Sequence, residues 1–155
     1  MRPTLTDLWR ILPTIRSFTS TVASGPNSKT GWTGETNGTV EVQKSADGDQ
    51  IDFIEKGTLT TAEGKTIATT NHWQWNRAEN SIQLSHRRRD KPVLLAELKE
   101  PATGQSFHSP SPHLCGEDVY ALNLEIAGTT LRLNWRITGP KKDERLVSVY
   151  KSEHN

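Results

Sequence analysis

Leu5, Leu8, Trp9, Leu12 and Ile15 recur three and four residues apart, which lays one apolar stripe along a helix with Thr4 or Thr6 as its cap. Pro13 has no backbone N–H to donate and should bend or end that helix. Beyond it the spacing changes to two. Val40 and Val42 alternate with Glu41 and Gln43, and Ile51, Phe53 and Glu55 alternate with Asp52, Ile54 and Lys56. Such alternation marks strands with one buried face. The runs Ala46-Asp47-Gly48-Asp49 and Ala62-Glu63-Gly64-Lys65 are turn chemistry, with glycine free to take positive φ.

Two further hairpins are marked well enough to register. Ile67, Thr69, Asn71, Trp73 and Trp75 share one face of a strand, and Ile82, Leu84, His86 and Arg88 share one face of the next. Opposing Trp75 with Ile82, Trp73 with Leu84 and Asn71 with His86 puts the large apolar groups on one side. A strand over Val93 to Lys99 follows, then a segment broken by Pro101, Pro110 and Pro112 that carries Phe107 and His108. In the last hairpin Asp118, Tyr120, Leu122, Leu124 and Ile126 oppose Leu131, Leu133, Trp135 and Ile137. A turn at Ala127-Gly128 would pair Tyr120 with Trp135 and Asp118 with Ile137. Leu146 to Lys151 ends the series.

A run of about eight to ten antiparallel strands leaves two exposed edges unless the sheet closes. The pattern therefore predicts an all-β fold, an antiparallel up-and-down β-barrel with an N-terminal α-helix over about 4–16 and the barrel over about 17–151. A two-sheet sandwich is the alternative. At 155 residues the chain forms one domain, 1–155, large enough for its own core.

Composition alters this picture little. Only 32% of residues are hydrophobic, but five tryptophans supply large burial per residue. Only the chain ends and the stretch from Gly25 to Lys29 look loosely held. With 19 basic and 18 acidic side chains the formal charge is +1, so no field gathers nucleic acid or an anionic membrane. One cysteine forms no internal disulfide and favours a cytoplasmic setting. No apolar run is long enough for membrane insertion.

Candidate chemistry lies where apolar stripes turn polar. Ile82 and Leu84 run on into His86 and Arg88, while Leu124 and Leu122 run back into Tyr120 and Asp118. If both polar ends meet Asn71, Trp73 and Trp135 at one mouth, the barrel encloses a pocket with an apolar floor and a polar rim. The alternative is that His86 to Lys91 is a solvated turn. His113, Cys115 and Asp118, with His108 as a fourth donor, do not have the paired spacing of common zinc sites, and no metal is expected. Cys115 beside a histidine fits a thiolate nucleophile, but a lone cysteine more often packs as a small apolar group; a loop-fixing bond between His113 and Asp118 is the third reading. Lys141 and Lys142 would meet an anionic group at the mouth or keep a turn solvated. Trp32 is expected near the closed end, stacked on Arg136 or Arg10.

Phe107-His108, His113-Leu114-Cys115 with Asp118 and Tyr120, the run Trp135 to Asp143, and Ser148 with Tyr150 resemble the DUF6314 family of uncharacterised proteins. That resemblance implies a calycin-like barrel and brings no activity or catalytic residue with it. The leading expectation is binding of one small apolar or amphipathic molecule, with Asn71, Trp73, His86, Arg88, Asp118, Tyr120, Trp135 and Lys141 as ligand-binding residues and no cofactor. The first alternative is a cofactor-independent isomerase or cyclase in which His86 or His113 exchanges protons, with Asp118 setting tautomer and charge and Tyr120 in the same cluster. The second is a protein-interaction module using the helix and an outer sheet face. These patterns name no particular ligand and no oligomeric state.

Overall fold

A computed structural model describes residues 2–29, 33–101, 104–109 and 113–153, with the His113 side chain outside the description. Trp32, Pro110 and Pro112 lie outside the described residues. The helix α1 (Leu5–Ile11) begins at Thr4, whose hydroxyl accepts from Asp7 N at 3.1 Å while the Asp7 carboxylate accepts from Thr4 N at 2.8 Å. This reciprocal cap satisfies donors that the first turn cannot. Pro13 falls in a 3-10 turn, Leu12–Thr14, that ends the helix. Leu8, Trp9, Leu12 and Ile15 are buried, and Trp9 Nε1 donates to Gly48 O at 3.2 Å. Thus the helical stripe caps one end of the sheet.

The strands are β1 (Ser17–Ser24), β2 (Gly34–Lys44), β3 (Gln50–Thr61), β4 (Thr66–Arg77), β5 (Ile82–Arg88), β6 (Lys91–Leu98), β7 (Ser106–His108), β8 (His113–Cys115), β9 (Asp118–Ala127), β10 (Thr130–Thr138) and β11 (Asp143–Lys151). Their order is β6-β5-β4-β3-β2-β1-β11-β10-β9-β7, with β8 also on β9. β7 pairs with residues 123–125 of β9 and β8 with residues 118–120, so they are two pieces of one strand on the same edge. The last seam, between β6 and β7, holds a single bridge among the described residues, Lys99 to His108. The result is a nearly closed, antiparallel up-and-down barrel of ten strand positions. No helix among the described residues is long and apolar enough to cross a membrane.

Alternation places the expected side chains inside, but two registers differ from expectation by two residues. Arg77 opposes Ile82, Trp75 opposes Leu84 and Trp73 opposes His86. β4 runs further than expected because Arg77 N donates to Asp49 O at 2.8 Å and its guanidinium lies 5.1 Å from the centre of the Trp9 ring. In the last hairpin Leu122 opposes Trp135 and Tyr120 opposes Ile137. The turn is Gly128-Thr129, because Gly128 takes φ +63 at the first central position, where a two-residue hairpin requires it. A shift of two preserves every face.

Two other features depart from the simple pattern. The β5–β6 ladder shifts register between Leu84 and Ser85, and Leu95 and Ala96 are both buried, as a bulge permits. The stretch from Gly25 to Lys29, expected to be loose, is tied to the chain near β11. Gly25 N donates to Asp143 O at 2.6 Å, and Lys29 N donates to Lys141 O at 2.9 Å; Ser28 Oγ also donates to Glu144.

Candidate functional site

The helix covers the end of the barrel that holds the β2–β3 turn, so the β1–β2, β3–β4 and β5–β6 connections surround the other end, the mouth. On the β1, β2, β3, β4 and β11 side, a cavity of about 350 Å³ runs inward from it. Its apolar walls are Phe18, Val22, Leu59, Trp73 and Leu146. Among them stand the polar groups Ser20, Glu55, Thr69, Asn71, Ser148 and Tyr150.

Glu55 is the unusual member, a carboxyl only 3% exposed within the otherwise apolar stripe Ile51, Phe53, Glu55. The Tyr150 hydroxyl donates to its Oε2, and the Trp73 side chain is a second hydrogen-bond partner. Burial nevertheless dominates and pushes its pKa from 4.5 up to about 7, the two hydrogen bonds only partly opposing it. Burial, the Glu55 charge and its hydrogen bond hold Tyr150 well above its ordinary value. Beside this pair the Ser20 and Ser148 hydroxyls lie 2.8 Å apart, and Thr69 Oγ1 is buried with no hydrogen-bond partner among the described residues. In the sequence Ser148 and Tyr150 stand out only through the family resemblance, and Glu55 and Ser20 do not stand out as site residues. The available signal was one carboxylate on an inward stripe, easily taken for a strand fraying into solvent.

Of the residues expected to bind ligand, Asn71 and Trp73 line the cavity. Trp135 stacks on Trp73 at 5.9 Å to form a partition, and His86, Arg88, Tyr120 and Asp118 gather beyond it. There His86 Nε2 meets Asn71 Oδ1 at 3.2 Å, and Arg88 Nε donates to His86 Nδ1 at 3.3 Å. Arg88 Nη2 also donates to Tyr120 Oη at 3.4 Å. His86 thus donates through one nitrogen and accepts through the other, the neutral form. Burial first, then the charges of Arg88 and His72, lower its pKa from 6.5 to about 4.

Asp118 pairs at 3.0 Å with Lys142, not with His86. Lys142 is also 3.5 Å from Tyr120 Oη. Lys141 is exposed and contributes its carbonyl to Lys29. Cys115 is half-buried, with Sγ 3.9 Å from Arg88 Nη1, while His108 is exposed at the seam. His113 opposes Tyr120 in the ladder. The mouth cluster therefore assembles as a self-paired polar network beside the cavity, and Glu55 carries the polar chemistry within it.

No curated protein and no solved structure matches the chain. The sequence model of a family of unknown function, DUF6314, matches residues 8–152. A match over that much of the chain places this protein in the DUF6314 family.

Proposed function

We propose that this protein binds one small, largely apolar molecule inside the barrel, anchored by the polar groups along the cavity. The observation that carries this reading is the cavity of about 350 Å³ beside Phe18, Val22, Leu59 and Leu146. A volume of this order falls within the range of small-molecule sites. At about 30 Å³ per water-sized group it holds roughly a dozen non-hydrogen atoms. The network of Arg88, His86, Tyr120, Asp118 and Lys142 buttresses the Trp73–Trp135 partition that bounds the cavity.

The test is titration with 1-octanol followed by NMR. Methyl signals of Val22, Leu59 and Leu146 should shift together and saturate at one equivalent, and Leu146→Trp, which fills the space, should remove the response. Absence of saturable shifts in the unsubstituted protein would overturn the reading.

A further inference from the structure

We infer that the cavity selects a protonated amine, with a primary ammonium head against the Glu55 carboxylate and the rings of Phe18, Trp73 and Tyr150, and an apolar tail toward Leu59 at the mouth. This rests on the proposed ligand-binding role of the cavity. Three features point to a cation rather than to a neutral or acidic ligand.

The first is the missing counter-ion. Burial, Tyr150 and Trp73 are the influences on the Glu55 carboxyl, with no basic side chain among them. The cations Arg88 and Lys142 are engaged elsewhere, by His86, Tyr120 and Cys115 and by Asp118 and Tyr120 respectively. A buried carboxylate without a cation is costly, and an ammonium ligand supplies one.

Second, the protein presents donors to Glu55. The Tyr150 hydroxyl donates to Oε2, and the Trp73 side chain is a hydrogen-bond partner whose only polar hydrogen is a donor. Asn71 Oδ1, on the residue opposite Glu55 in the ladder, is already matched with His86. This surrounding suits an ionised acceptor. Third, aromatic rings line the same space, and ring faces attract ammonium groups. Thr69, on the adjacent strand and paired with Gly57, has a buried hydroxyl oxygen free to accept a further ammonium proton.

The pH response follows from what surrounds Glu55. β1 contributes Phe18 and Ser20, β2 Val40, β4 Asn71 and Trp73, and β11 Ser148 and Tyr150. Among these Tyr150 alone titrates, and it stays protonated near neutrality. His86, one hydrogen bond beyond Asn71, stays neutral above its pKa of about 4. Glu55, with a pKa of about 7, is therefore the group whose ionisation sets amine affinity in this range.

The experiment compares octylamine, 1-octanol and octanoate, which share a tail and differ in head charge, by calorimetry between about pH 6 and 8. At the alkaline end octylammonium should bind roughly tenfold or more tighter than 1-octanol, with octanoate weakest. Its affinity should fall about tenfold toward pH 6 as Glu55 gains a proton, while that of 1-octanol stays constant. Glu55→Gln should erase both the preference and its pH dependence while keeping 1-octanol binding. The pH series on the unsubstituted protein decides the matter if that variant fails to fold. Equal binding of amine and alcohol overturns the amine inference and leaves the cavity reading standing. Failure of all three probes overturns both.

Discussion

Glu55 and His86 are linked through Asn71, which opposes Glu55 in the ladder and is hydrogen-bonded to His86, yet burial moves their protons in opposite directions. Below pH 4.5, the ordinary value for Glu55, its carboxyl is protonated whether the chain is folded or not. Between there and its folded value of about 7 the unfolded chain releases a proton that the barrel retains. Rising pH should therefore remove roughly 3 kcal/mol of stability from this group alone. His86 is neutral in both states above 6.5; between that and about 4 the unfolded chain takes up a proton that the barrel refuses. Falling pH therefore destabilises. The slopes oppose each other where the windows overlap, so the unsubstituted protein should show a shallow profile in urea unfolding from about pH 4.5 to 8. Glu55→Gln should leave a stability that rises with pH through about 6.5, and His86→Asn one that falls toward 7. A Glu55→Gln protein still losing stability between about pH 5 and 7 would show that another group is responsible. The sequence placed both side chains on inward stripes; that one lines a cavity and the other, half-buried, lies on the far side of two tryptophans depends on the packing of Trp73 on Trp135, from strands far apart in the chain.

At the level of the strand, the faces were legible and the registers less so, because turns decide register and their chemistry here is partly irregular. Gly48 and Gly64, at φ +77 and +85, sit in two of the turns that the sequence marked. The β5–β6 turn was not marked as a tight hairpin, since its central residues are Arg89 and Asp90, at φ 50 and 65, where Asn-Gly would be the favourable pair. Left-handed backbone is costly for a residue with a Cβ. Asp90→Gly should accordingly stabilise the protein by about 1 kcal/mol, read as a higher urea midpoint at unchanged slope; a lower midpoint would mean that the aspartate makes a compensating contact. The helix gives the complementary case. Its cap could be read from Thr4 and the stripe behind it, and Thr4→Ala should cost about 1 kcal/mol by removing the hydroxyl that accepts from Asp7 N, while the backbone N–H of residue 4 can still donate to the Asp7 carboxylate. A loss within measurement error would show that packing of Leu8, Trp9 and Leu12 holds the helix by itself.

For the molecule as a whole, the need to hide two sheet edges correctly implied a closing tube, but the quality of closure was not visible in the strand pattern. β1 and β11 join over eight paired residues, whereas β6 meets the β7–β8 strand through one bridge, Lys99 to His108. Side chains do the rest. Leu95, Leu98 and Phe107 are buried near the seam, and at the mouth Arg88 reaches across from β5 to Cys115 on β8 and Tyr120 on β9. Backbone amides along β6 and β8 that face the gap have no ladder partner among the described residues, so this seam is the place where the barrel should open first. In native-state hydrogen exchange, amides of β6 and β8 should exchange on the order of a hundredfold faster than those in the centre of the β2–β3–β4 ladder. Arg88→Gln should accelerate exchange further at the mouth ends of β6 and β8 while leaving β2 and β3 unchanged, because those strands do not depend on the guanidinium for closure. Uniform acceleration would show instead that Arg88 supports the whole barrel through the Tyr120 network. Unchanged exchange would assign closure of the seam to apolar packing alone.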